Sequence, residues 1–369
     1  MTGNTPDGPT APSLDAGSRR SSPATLEDVA RAAGVSLATA SRSLNGSSRT
    51  VNAAYRSKVL DAAARLNYSP NLSAQAVARG STMTVALVVA DITDPYFSSI
   101  AAGVVAEADQ GRLIVTMAAT ERDSERELEI VRTLRGQRPK VIILAGSRRE
   151  GDPSEEALRR ELEDYERAGG RVVLISRNEL GFRTVQIDNA SGAADLATAL
   201  VGLGYRRFSV LTGNRELKTA ADRLDGFTSG LERAGIRVEA DRVVQSAFTR
   251  DGGYEGMRSL IAAGVQADEV VFAVNDVMAV GALSALRDAG LTPGADVAVA
   301  GFDDIPTVQD VWPTLTTVNV PLVEVGRAAL RLALEETDAS VSADSDASTA
   351  PGSPVATSVV VRDSTPRRA

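Results

Sequence analysis

Between residues 84 and 301, short runs rich in Val, Ile and Leu alternate with amphipathic stretches, and this alternation restricts the possible folds more than any other feature of the chain. Strand-length runs stand at 85–89, 113–117, 141–144, 172–175, 208–211, 270–273 and 297–301. Stretches 99–108, 124–135, 191–203, 221–234 and 276–289 repeat apolar residues at helical spacing. Two strands can run parallel only if a crossover joins them, so this order predicts parallel sheets with helices on both faces. So many strands fit two doubly wound subdomains better than one sheet. The chain of 369 residues is long enough for two or three domains. In such sheets ligands bind beyond the carboxyl ends of the strands, which makes the residues just after each strand the candidate site.

What the sequence lacks excludes most chemistry. It has no Cys and no His, so disulfides, thiolate nucleophiles, Cys/His zinc sites and His-based triads are ruled out. No acidic residues cluster in a ligand pattern, and neither a metal nor a cofactor is expected. Residues 146–152, GSRREGD, space two glycines as a P-loop does, but Asp152 stands where a phosphate-binding Lys is required and would repel phosphate. There is no long apolar run to span a membrane. Residues 1–23 are rich in Ser, Thr, Pro and Gly without an apolar core, so they read as a disordered arm rather than an export signal, and the expected location is cytoplasmic. Residues 338–354, DASVSADSDASTAPGSP, are too low in complexity to bury a core and read as disordered, and 364–369 read as a tail.

The segment 24–69 has a different character. Thr25 followed by Asp28 is a capping-box pattern, and Leu26, Val29, Ala30 and Ala33 recur at helical spacing. Gly34 supplies a stop, and Ser36 caps a second helix through residue 43 or 44. Two helices joined by so tight a turn form a helix-turn-helix, whose second helix presents its first residues to base edges. Ala40 and Leu44 face inward, leaving Leu37, Ala38, Ser41 and Arg42 outward; Ser36, Thr39 and Asn45 are short hydrogen-bonders suited to phosphate. Asn52 caps a third helix over 53–66, with Val59, Ala62, Ala63 and Leu66 as its apolar stripe. Pro70 then breaks the chain, and Asn71 caps a segment, 72–79, too short to be stable alone.

Charge is distributed in the same sense. The whole chain carries −8. Residues 24–80 hold seven basic residues (Arg31, Arg42, Arg49, Arg56, Lys58, Arg65, Arg79) against Glu27, Asp28 and Asp61, a local +4; the first 23 residues balance, so the remainder carries −12. A basic module on an acidic body is expected when only one domain meets nucleic acid.

The stretches TLEDVARAAGVSLATASRSLNG and LNYSPNLSAQAVARGSTMTVALVVADITDPYF, then DRLDGF, NDVMAVGAL, VAGFDDIP and LTTV, resemble the lactose-repressor (LacI/GalR) family of transcription regulators over nearly all the chain beyond Ala24. The resemblance implies a periplasmic-binding-protein-like core over 81–337 and 355–363. Its first subdomain would cover about 83–187 and 321–337, and its second about 189–319 and 355–363. It implies that 70–80 is a hinge helix, formed when a homodimer binds a palindromic operator, with Val77 at the minor-groove wedge position. Thr25, Asn71, Ala74 and Ala78 complete the implied DNA-contacting set.

For the ligand cleft, strand-end position selects Asp91, Tyr96, Phe97, Arg177, Asn275 and Asp303, and the resemblance adds Arg223 and Phe248. Asp276 reads as a helix N-cap. Arg, Asn and Asp beside an aromatic face suit a hydroxyl-rich ligand, so a sugar effector is expected. Purine-sensing members place a second Arg before the position of Thr219, where this chain has Leu217. A solute-binding protein would need an export signal and no DNA module, and an enzyme would need a nucleophile and base that do not occur here. The expected function is a repressor under effector control.

Overall fold

The computed structural model describes residues 24–45, 51–69, 81–149, 151–176, 180–335 and 354–368, in two compact units that divide after Gln75. The hinge reading, with Asn71, Ala74, Val77 and Ala78, lies outside these residues, as do Arg177 and the side chain of Asn45.

The first unit contains α1 (Leu26–Ala33), α2 (Leu37–Asn45) and α3 (Ala53–Arg65). Thr25 and Asp28 form the reciprocal capping box, and Gly34 ends α1 in the left-handed conformation (φ 67°). Val29, Ala30, Ala33, Ala40, Val59, Ala62 and Ala63 are the buried core. The small side chains let three short helices approach closely. Leu66, expected in the stripe, follows the end of α3 and is 37 % exposed; Tyr68 packs on the core in its place.

The second unit begins with β1 (Thr84–Val89), α4 (Pro95–Gln110), β2 (Ile114–Ala119), α5 (Ser124–Gln137), β3 (Val141–Ala145), α6 (Glu155–Arg167), β4 (Arg171–Ser176) and β5 (Arg183–Gln186). These strands form one parallel sheet in the order β2-β1-β3-β4-β5. There follow α7 (Asn189–Gly202), β6 (Arg207–Thr212), α8 (Lys218–Arg233), β7 (Val243–Gln245), α9 (Arg250–Ala263), β8 (Glu269–Ala273), α10 (Asp276–Asp288) and β9 (Ala298–Ala300), whose strands order as β7-β6-β8-β9. Both sheets are parallel throughout, and β1, β3 and β8 are nearly or wholly buried, which is why their sequences are continuous apolar runs.

β10 (Thr317–Asn319) and β11 (Ser358–Val360) pair antiparallel beside the second sheet. α11 (Leu322–Leu334) returns to the first subdomain, where Arg331 meets Glu107 on α4 at 3.1 Å and Arg171 on β4 donates to the Ala333 carbonyl at 2.8 Å. The architecture is the one expected from the alternation of strands and helices. The short β5, β7 and β10, and the helices α6 and α9, were not anticipated.

Residues 364–368 are not a tail. Ser364 and Thr365 are buried, the Ser364 hydroxyl donates to the Val299 carbonyl at 2.7 Å, and the Tyr205 hydroxyl donates to that of Pro366 at 2.7 Å. Polar side chains there complete hydrogen bonds of the second subdomain that water would otherwise have to satisfy. Among the described residues no helix is long and apolar enough to cross a membrane.

Candidate DNA-binding face and ligand cleft

On α2 the exposed side begins with Ser36, Leu37 and Ala38, and Leu37 is 47 % exposed. The Thr39 amide is capped by Ser36 Oγ at 3.2 Å, and the two hydroxyls lie 2.9 Å apart. Arg42 is half-exposed; its Nε donates to the Ala38 carbonyl at 3.0 Å, and among the described residues it makes no ion pair. That bond lays the side chain along the exposed face towards Ala38, and among the described residues its Nη groups have no bond. Ser41 is half-buried. Ser43 is buried, with its hydroxyl turned onto the Thr39 carbonyl at 2.8 Å. Thr25, also in the expected contact set, caps α1: its hydroxyl donates to Asp28 Oδ2 at 2.7 Å and accepts from the Asp28 amide.

In the second unit each sheet reverses its winding order beside its first strand, between β1 and β3 and between β6 and β8. The loops leaving those strands diverge there and leave a crevice. Asp94, Tyr96 and Phe97 after β1, Gly146 and Ser147 after β3, Thr219 and Arg223 after β6, and Asn275 after β8 line one cleft of about 400 Å³ counting its open mouth. Ser176, Phe248, Asp303 and Arg122 complete it.

Arg223 organises the cleft floor. It lies in the second turn of α8, not at its start as read from sequence, and is 2 % exposed. Its Nε donates to Asn189 Oδ1 at 2.9 Å, Nη1 to the Val274 carbonyl at 2.8 Å and Nη2 to Asp303 Oδ1 at 2.7 Å, while its guanidinium carbon lies 3.9 Å from the centre of the Phe302 ring. Three of its five N–H groups are thus held by protein, and the plane is fixed by stacking. Asp303 has φ 121°, a strained value for a residue with a side chain, held by bonds from its own amide to the Val318 carbonyl and from Val320 to its carbonyl.

Asn275 is the N-cap of α10, its Oδ1 accepting from the Met278 amide at 2.9 Å. Its Nδ2 is buried and has no partner, although the residue is only 1 % exposed. The cap expected at Asp276 is therefore one residue earlier. Asp276 is drawn inward instead, accepting from the Ile305 amide at 2.9 Å and the Thr317 hydroxyl at 2.6 Å.

Burial dominates the titration of these groups. It pushes Asp276 up to about 8, reinforced by Asp303, and pushes Asp303 up to about 7 against the opposing pull of Arg223. It also raises Asp94 and the Tyr96 phenol. At Asp91 burial acts the same way, but hydrogen bonds from Thr93 outweigh it and the carboxyl is held low.

With this geometry in hand, similarity to known proteins can be placed. Residues 25–71 match the bacterial regulatory proteins of the lacI family, and residues 197–365 match the periplasmic binding protein-like domain. The regulator GalS of Salmonella typhimurium is 34 % identical over 313 residues, covering 84 % of this chain and 89 % of its own. The repressor CytR of Escherichia coli is 32 % identical, covering 85 % and 89 %. The chain belongs to the LacI family. Among solved structures, the Lac repressor dimer bound to operator and the anti-inducer ONPF superposes with a TM-score of 0.76 at 25 % identity, covering 94 % of this chain and all of that one. This LacI-family protein is thus a DNA-binding transcriptional regulator, and its relatives are regulators rather than enzymes.

Of the expected cleft residues, the structure of this regulator brings together Tyr96, Phe97, Arg223, Phe248, Asn275 and Asp303. Asp91 stands apart: its Oδ1 accepts from the Thr93 amide and hydroxyl at 2.9 and 2.7 Å, and Oδ2 lies 3.7 Å from Arg122. It shapes the turn and steers Arg122 without lining the cleft. Arg122, Ser147 and Thr219 were missed as cleft residues. Arg122 lies three residues past the end of β2 and was discoverable by the strand-end rule, but it sits in the charged run Glu121-Arg122-Asp123, which reads as solvated surface.

Removing Arg223 would leave Asp303 buried and unpaired. Arg223→Ala is expected to lower stability by about 3–5 kcal/mol, measured by chemical denaturation; a loss close to zero would show that the pair holds nothing together. Asp276 predicts a pH dependence. Because its folded pKa is raised, its contribution is fully present below the ordinary carboxylate pKa of 3.8 and is lost as pH rises through about 8. Asp276→Asn keeps an acceptor for Ile305 and a donor for Thr317, so its stability should fall less between pH 5 and 9 than that of the wild type. Circular dichroism is the suitable probe, since the single tryptophan, Trp312, is 78 % exposed. An identical pH slope in the two proteins would contradict the assignment.

Proposed function

We propose that the regulator represses transcription and that a neutral, hydroxyl-rich ligand in the cleft, most simply a sugar, controls its affinity for operator. The observation that carries the ligand reading is Asn275 Nδ2, a buried donor without a partner, beside the remaining N–H groups of Arg223. Buried donors left unpaired are costly, so the cleft favours a ligand that brings acceptors to them. The Phe248 ring, with Arg122 5.5 Å from its centre, offers an apolar face for a pyranose or furanose. Leu217 stands where purine-sensing members carry a second Arg, which favours the sugar over a purine or nucleoside, the second reading.

In this reading the ligand-competent and DNA-competent states differ in how closely the two subdomains meet. Cross-cleft bonds already link them: the Thr219 amide donates to Ser147 Oγ at 3.1 Å and the Lys218 amide to the Arg148 carbonyl at 3.3 Å. A ligand that binds one arrangement more tightly shifts the population and, by linkage, changes DNA affinity. A homodimer is part of the proposal. The edge strand β2 exposes Ile114 and Met117 at 59 % and 41 %, an apolar edge that a second copy can cover.

Two variants test the two ends of the proposal. Arg42→Ala should flatten discrimination among half-sites by about 1–3 kcal/mol while changing affinity for random duplex less, as read by fluorescence anisotropy on sites found by genomic footprinting. Equal losses on both duplexes would show that Arg42 touches phosphate only. Asn275→Ser retains a good N-cap but deletes Nδ2. It should weaken sugar binding by about 1–3 kcal/mol and leave ligand-free operator binding unchanged. Sugar affinity equal to wild type would remove Asn275 from the site.

A further inference from the structure

Phe248 is the aromatic side chain that the second subdomain contributes to the cleft lining, from the segment between β7 and α9. Its ring lies close on the bare backbone after β6, where a Cβ on Gly213 would stand 2.5 Å from Phe248 Cδ2. Across the cleft it meets Arg122 of the first subdomain, whose guanidinium carbon lies over the ring at 5.5 Å from its centre. Stacked layers need about 3.5–4 Å each, so a ligand ring laid on Phe248 needs about 7–8 Å between that ring and whatever lies beyond it. No ligand ring fits between the two side chains as they stand. The aromatic face becomes available only when Arg122 moves off it.

The turn that carries Arg122 is strained. Glu121 and Arg122 follow each other in the left-handed region, at φ 56° and 62°, a conformation costly for residues with a Cβ. Two bonds to the end of β1 hold the turn, from the Thr120 amide to the Val89 carbonyl at 2.9 Å and from the Arg122 amide to the Ala90 carbonyl at 3.1 Å. Strain of this kind persists where the surroundings over-determine it, and it clusters at ligand clamps and switches. The side chain is also poorly satisfied where it stands. Its Nε is buried without a partner, and its Nη2 is 3.4 Å from Asp94 Oδ2 and 3.7 Å from Asp91 Oδ2, long for charge-assisted bonds. Among the described residues these two oxygens take no other bond, because the Tyr96 amide uses Asp94 Oδ1 and Thr93 uses Asp91 Oδ1. A guanidinium that leaves the ring therefore finds a second position, between two carboxylate oxygens that can close on it.

We infer that Arg122 is an internal competitor for the ligand: it covers Phe248, and a ring-bearing ligand displaces it into the position between Asp91 and Asp94. The inference rests on the cleft being the ligand site, and it holds for a sugar or a nucleoside alike. It makes Arg122 a specificity residue that acts by exclusion. A ligand with an apolar ring face offsets the lost contact by stacking on Phe248, and a ligand without one does not.

Calorimetric titration of the full-length protein with D-glucose, D-galactose, D-ribose, adenosine and cytidine tests it. Arg122→Asn suits the left-handed turn and cannot reach the ring, so its affinity for whichever compound binds the wild type should rise about threefold or more. Asp91 does not line the cleft, yet Asp91→Asn, which keeps an acceptor for Thr93 and weakens the second position, should lower that affinity about threefold. With Arg122 already replaced, Asp91→Asn should change nothing further. If Arg122→Asn loses its cooperative melting transition, Arg122→Lys keeps the charge beside the two acids without a planar group to lay on the ring, and the same rise is expected. Equal or lower affinity in the Arg122 variants, or Asp91→Asn equal to wild type, would overturn the inference and leave the ligand cleft standing. Failure of all five compounds to bind any of these proteins would overturn the cleft reading along with it.

Discussion

The second unit depends on burying one guanidinium. Arg223 would be prohibitively costly inside the protein without acceptors, and its requirements dictate the positions of groups far apart in the chain: Asn189 at the entry of α7, the Val274 carbonyl at the end of β8, Asp303 in the loop after β9 and the ring of Phe302. Each lies where the chain leaves a strand or enters a helix, so satisfying Arg223 brings the ends of the second sheet into register around the cleft. The strain at Asp303 is tolerable for the same reason, because its carboxylate is fixed by the ion pair and its backbone by the β10 segment. Under the proposed sugar reading one residue would do two tasks, and a substitution at Arg223 would not separate ligand recognition from folding. Asn275 can, since its cap uses Oδ1 and its remaining donor uses nothing within the protein.

Much of this was legible in the sequence because local rules decided it. The capping box at Thr25 and Asp28, the turn at Gly34 and the cap at Asn52 each follow from a few neighbouring residues. The parallel sheets follow from long-period alternation, and the strand-end rule picked out Tyr96, Phe97, Asn275 and Asp303, which line one cleft. Where reading failed, a distant partner had overridden a local preference. Asn275 and Asp276 are both good cap residues, and only the Ile305 amide and Thr317 hydroxyl, 29 and 41 residues away in sequence, decide that Asp276 turns inward. Residues 364–368 look like a solvated end by composition, but Ser364 and Thr365 complete bonds to β9 and to the segment before β10.

The division of labour between the units follows from their charge and packing. The helical unit is small, basic and built around alanines, with a second helix whose exposed side carries Arg42 and short side chains and no acid. The α/β unit is acidic overall, and two of its buried donors without a partner, Asn275 Nδ2 and Arg122 Nε, belong to residues that line the cleft. The negative charge of the second unit makes it a poor surface for phosphate. Ligand-controlled DNA binding is the function in which both halves have work.

The central claim is that the unpaired donor of Asn275 and the free N–H groups of Arg223 await hydroxyl oxygens of a bound sugar. A crystal structure of the protein with the saccharide that stabilises it most tests this directly. The account predicts a ligand hydroxyl within about 3 Å of Asn275 Nδ2 and another on an Arg223 Nη, with the Arg223–Asp303 pair intact. A ligand bound elsewhere, or an Asn275 Nδ2 still unpaired beside it, would contradict the account.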